Sequence, residues 1–93
     1  GLDVDMELYL FECADAGGAA AVFAALDAFL QQGGVSRPVA ALGEAAVAMR
    51  HTRYGQTYAM REGRYAVALL QVKDKAAGEA MLREVGKNIR LAK

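Results

Sequence analysis

The chain has 93 residues, 55% of them hydrophobic and 24% charged, with 11 bases balancing 11 acids. That length fits one domain around one core, and the balance excludes a disordered chain and a strongly basic nucleic-acid binder. No apolar run approaches the roughly 20 residues that a helical membrane span needs.

The single cysteine, Cys13, rules out an internal disulfide and leaves the compartment open. The first residues do not read as a signal peptide, and a chain starting at Gly1 is expected to be a mature or excised piece of a longer protein. Charge is unevenly placed. Residues 1–44 hold seven acids and one base, and residues 45–93 hold ten bases and four acids. Because the bases are spaced along elements and form no block, mutual neutralisation of the two halves on folding is the favoured reading.

Val4 to Cys13 alternates with period two and predicts a strand. Leu8 and Leu10 lie on an aliphatic face, and Glu7, Tyr9 and Phe11 on a face that turns from acidic to aromatic. A helix is predicted next, capped by Asp15, with Val22, Phe23, Leu26, Phe29 and Leu30 at helical spacing and Gly33 beyond its end. Gly17-Gly18 at its start lacks the spacing of a phosphate-binding loop. Val35 to Gly43 is a connector or short strand containing Pro38.

Three strands follow, Ala45 to Tyr54, Gln56 to Arg61 and Arg64 to Lys73, the last two joined by a tight turn at Glu62-Gly63. Asp74 caps a final helix running through Ala92. The expectation is one α+β domain over residues 1–93, with a four-stranded, mostly antiparallel sheet and two helices in the order β-α-β-β-β-α.

Two stretches carry a resemblance: "DMELYLFECADAGGAAAVFAAL", a strand leading into a small-residue helix, and "GEAAVAMRHTRYGQTYAMREGRYAVALL", a strand followed by a glycine-aromatic hairpin. With the closing "MLREVGKNIRLAK" helix they resemble a family of bacterial proteins of unknown function, often exported, whose repeated unit has this element order. The resemblance implies the fold and an exported location, and brings no activity, cofactor or site residue with it.

Candidate chemistry is sparse. Cys13 and His51 are the one nucleophile–base combination, but no third group orients the base and no oxyanion hole is evident, so no catalytic residue is assigned and the chain does not read as an enzyme. His51 is the only histidine, and no HxH or CxxC spacing supplies a second strong ligand, so no metal or other cofactor is expected. Asp3, Asp5 and Glu7 read as a solvated strand edge that discourages edge-to-edge pairing. Arg50, Arg53, Arg61 and Arg64 with Tyr54, Tyr58 and Tyr65 have the residue types of a single-strand nucleic-acid surface. Strand parity divides them between faces, which disfavours that partner.

The run Tyr65 to Val72 is apolar on both faces, as in a strand covered on both sides. If both helices share one face, Tyr9, Phe11, Tyr65, Val67 and Leu69 remain as an apolar patch for a partner. One helix on each face leaves no such patch. The expected function is therefore a non-enzymatic binding or assembly module. Its partner would be a second copy or another domain of a longer parent. The competing expectation is a small-ligand carrier with a pocket by the first helix, near Phe23, Phe29, Tyr65, Arg53 and Arg61.

Overall fold

The computed structural model describes residues 6–92. Its elements are β1 (Glu7–Glu12), α1 (Ala16–Leu30), β2 (Arg37–Pro38), β3 (Ala45–His51), β4 (Gly55–Glu62), β5 (Tyr65–Leu70) and α2 (Lys75–Leu91). The α+β class and both helices are present, in an all-antiparallel arrangement. The sheet has five strands, not the expected four, in the order β1-β5-β4-β3-β2. The added strand is Arg37-Pro38, which pairs with Ala48 and Val47. It falls within 35–43, which the sequence leaves open as connector or short strand, because two residues show no periodicity and a proline disfavours a ladder. Val4 and the acids Asp3 and Asp5 lie outside the described residues.

Each helix begins at an aspartate. The Asp15 carboxylate accepts the Gly18 amide at 2.8 Å, and Asp74 accepts those of Ala76 and Ala77 at 3.0 and 3.4 Å. These bonds satisfy amides that have no partner in a first helical turn. The β4–β5 turn is Gly63-Arg64, one residue later than expected, because Glu62 remains in the ladder opposite Tyr65. Gly63 has φ 57°, and Arg64 is not among the positive-φ residues. This fits a type II′ turn, which puts glycine first.

Strand parity allots the helices to opposite faces. Leu82 and Ile89 of α2 pack with Tyr58, Met60, Val67 and Leu69. Leu30, Phe23 and Leu26 of α1 pack with Met49, Ala59 and Val47 from the alternate positions of the same strands. The molecule is thus a sheet between two single helices, and β5 is buried on both sides, with Ala66, Val67, Ala68 and Leu69 all in the core. A helix about 10 Å across cannot roof five strands spaced about 4.8 Å apart. Cover is therefore complete over β4 and β5 and fails at β1, whose six residues are all exposed.

Ion pairs tie the two oppositely charged halves together. Glu44 meets Arg61 at 3.2 Å, and Glu12 meets Arg64 at 2.6 Å. Beneath α2, the buried Glu62 accepts from Arg90 at 3.0 Å. No described helix is long and apolar enough to cross a membrane.

Candidate interaction edge

β1 is the outermost strand on its side of the sheet, and among the described residues its one strand partner is β5. Exposure is 44% at Leu8, 47% at Tyr9, 53% at Leu10 and 39% at Phe11, so four consecutive large apolar side chains meet solvent. Register fixes where each points. Leu8 and Leu10 stand opposite Leu69 and Val67, on the α2 face, while Tyr9 and Phe11 stand opposite Ala68 and Ala66, on the α1 face. Tyr9 donates its hydroxyl to Glu7 Oε1 at 3.2 Å, and this bond is the leading cause of an upward shift in the tyrosine's pKa.

The backbone of β1 is equally informative. The Cys13 amide donates to the Arg64 carbonyl at 2.8 Å, continuing the register that pairs Phe11 with Ala66 and Tyr9 with Ala68. Antiparallel ladders alternate, so Glu7, Tyr9, Phe11 and Cys13 turn their N–H and C=O groups toward β5. Leu8, Leu10 and Glu12 turn theirs outward, to the open edge. These are strong hydrogen-bonding groups arranged as a template for another strand.

α1 also exposes apolar side chains. The outward residues of α1 include Ala21, Ala24, Ala25, Ala28 and Phe29, all exposed and none charged.

The structure disperses several residues that the sequence grouped. Val67 and Leu69 are fully buried beneath α2 and offer no surface to a partner. Tyr65 is half-buried on that same face, so only Tyr9 and Phe11 of the expected apolar patch are exposed. The patch required both helices on one face, and they take one face each. Leu8 and Leu10 replace the lost members. Their exposure was hidden in the sequence because an aliphatic row ordinarily signals the core side of a strand.

The expected ligand residues are also separated. Phe23 packs in the α1-face cluster, and half-exposed Phe29 tilts against Tyr54 at 6.5 Å between ring centroids. Tyr65 belongs to the α2 face, so these three line no common pocket. Arg53 sits in the turn after His51, while Arg61 lies near the opposite end of the sheet with Glu44.

Cys13 and His51 are likewise apart, at opposite ends of the sheet with β5 and β4 between their strands. His51 Nδ1 accepts the amides of Arg53 and Tyr54 at 2.9 and 3.2 Å, so its lone pair is spent on holding the turn. Its ring packs so closely on Gly33 that a β-carbon there would collide with it. Tyr58 faces α2 and Arg64 stacks over Tyr65 at 5.7 Å, so the arginines and tyrosines form no single platform. Among the described residues, no three His, Cys, Asp or Glu side chains gather where they could hold a metal ion.

One concave feature stands apart from β1. A cleft of about 390 Å³ is lined by Arg37, Arg50, Gln56 and Lys75 among others, with no carboxylate in its lining. The nearby acids are engaged elsewhere, Asp74 as the α2 cap and Glu79 with Tyr58 at 2.9 Å and Arg83 at 4.0 Å. The chain matches no family model, no curated protein and no solved structure.

Proposed function

We propose that this protein is a non-enzymatic binding or assembly module that self-associates through β1, the uncovered strand of its sheet. The observation that carries this reading is the coincidence of two exposures on one element. Leu8, Tyr9, Leu10 and Phe11 are open to solvent, and the backbone groups of Leu8, Leu10 and Glu12 face the free edge. Either alone is common on a monomer; together they make a surface that both apolar burial and strand addition would stabilise.

Light scattering on a size-exclusion column tests the reading. Wild type is expected at twice 9.9 kDa as concentration rises. The double variant Leu8→Lys/Leu10→Lys is expected to stay at the monomer mass with an unchanged circular dichroism spectrum. A wild-type monomer at every concentration, or a double variant that still associates, rejects it.

A second reading, a small-ligand carrier, draws on the basic cleft rather than on a pocket beside α1. Three cations and Gln56 line it without an acid, which suits a phosphate- or carboxylate-bearing molecule. Titration with inorganic phosphate should shift the amide resonances of Arg50 and Gln56, and unmoved resonances at millimolar phosphate reject it.

A further inference from the structure

We infer that β1 pairs with β1 of a second copy, antiparallel about a two-fold axis at Tyr9, joining two five-stranded sheets into one continuous sheet. This rests on the reading of β1 as the contact edge, and it adds the partner's identity and the register.

The geometry of β1 restricts how two copies can meet. A two-fold axis normal to the sheet makes identical edge strands antiparallel, and it is the commonest symmetry of soluble dimers. Opposed residues in such a ladder must either both direct their backbone groups across the junction or both direct them away. The outward groups belong to Leu8, Leu10 and Glu12. An axis midway between Tyr9 and Leu10 fails, because it opposes outward Leu10 to inward Tyr9. It also sets Glu7 against Glu12 of the second copy, like charge against like. An axis at Leu10 satisfies the backbone but faces each Leu8 with a Glu12 carboxylate.

An axis at Tyr9 also satisfies the backbone, and of the three it alone sets every Leu8 and Leu10 against a leucine. Leu8 of each copy stands opposite Leu10 of the other, the two exchanging backbone hydrogen bonds, and Tyr9 stands opposite Tyr9. Glu7 meets Phe11 and Glu12 meets Met6, so no two acids are opposed. All of β1 is used. The four leucines extend the α2-face row that contains Leu69 and Val67, continuing an existing core across the junction. The tyrosines and phenylalanines come together on the α1 face. Glu12 keeps its pairing with Arg64 of its own chain, so its charge is already balanced at the rim.

Cysteine cross-linking reads the register directly. In a Cys13→Ser background, Tyr9→Cys puts two thiols at a non-hydrogen-bonded pair, where Cα atoms approach to about 4.5 Å, within disulfide range. Leu10→Cys, in the same background, puts its two thiols diagonally, with Cα atoms beyond about 7 Å. Both positions are exposed, so neither change disturbs the core. Under mild oxidation at a concentration where the protein is dimeric, the Tyr9→Cys chain is expected to cross-link at least about tenfold faster than the Leu10→Cys chain. Adding Leu8→Lys to the Tyr9→Cys chain should remove that advantage. Equal or faster reaction at Leu10, with a dimer still seen by light scattering, overturns this register and leaves the β1 contact standing. A particle that is monomeric by light scattering overturns both.

Discussion

The two edges of this sheet are built in opposite ways. On one side lies β2, two residues long, an arginine and a proline. The Val39 amide donates inward to Ala46 at 2.9 Å, so by alternation the proline nitrogen, which has no hydrogen, occupies the outward position. A short, charged, proline-bearing edge offers an incoming strand almost nothing. On the other side lies β1, six residues without a proline, whose outward amides at Leu8, Leu10 and Glu12 have no backbone partner among the described residues. The fold thus blunts one edge by the means expected of a monomer and leaves the other open. The contrast teaches that the open edge is not carelessness in the sheet as a whole, and it is the physical basis for assigning association to β1.

The comparison can be broken by changing what covers each strand. The largest effect is expected where cover is complete. Leu69→Ala, under α2, should lower stability by about 2–5 kcal/mol, whereas Leu8→Ala, its neighbour across the β1–β5 ladder, should cost the isolated monomer less than about 1 kcal/mol. Urea unfolding below the association range measures both, and similar losses would mean that β1 is covered after all.

Exchanging the devices of the two edges comes next. Leu10→Pro removes an outward amide only and should abolish association while costing the monomer about 1 kcal/mol, with sedimentation velocity reporting the loss. Pro38→Val should have the smaller effect, because a two-residue strand beside Arg37 remains a poor template even with its amide restored. Association strengthened by Pro38→Val would mean that proline alone had been blocking that edge.

The tyrosines sharpen the same contrast in alkali. Tyr58, covered by α2 and donating to Glu79 Oε2 at 2.9 Å, has its pKa pushed up to about 12, first by burial and then by that bond. A folded-state value above the ordinary 10.0 gives a stabilisation that is complete below pH 10 and lost as pH rises toward about 12. Tyr58→Phe should remove that alkaline dependence at a cost of about 1 kcal/mol at neutral pH. Tyr9 lies on the exposed strand, where its bond to Glu7 is open to solvent, and Tyr9→Phe should change the alkaline unfolding profile of the monomer less than Tyr58→Phe does. Thermal melts of the two variants between neutral pH and strong alkali make the check.

Local signals in the sequence located most of the secondary structure. Asp15 and Asp74 cap the helices because a short acid before an apolar run leaves few other uses for its oxygens. Alternation located β1, and the doubly apolar run located β5. The allocation of helices to faces was not legible. The stripe on α1 is diluted by alanines that also populate its outer side, so periodicity could not say how much sheet it covers. Glu62 was read as a turn residue because its partner, Arg90, lies 28 residues away in α2, beyond any local signal. The proposed interface was half legible. Tyr9 and Phe11 stood out as aromatics on a face that should be polar, whereas Leu8 and Leu10 looked like ordinary core until the strand order placed them beyond the reach of α2.

The most direct measurement is residue-resolved amide exchange along β1, at concentrations below and above the association range. In the monomer, Tyr9 and Phe11 should be protected by β5 and Leu8, Leu10 and Glu12 should exchange freely. Above the association range the account requires the second set to slow by at least about tenfold while the first set changes little. Free exchange at Leu8, Leu10 and Glu12 in a particle of dimer mass would contradict it, since the copies would then be meeting elsewhere.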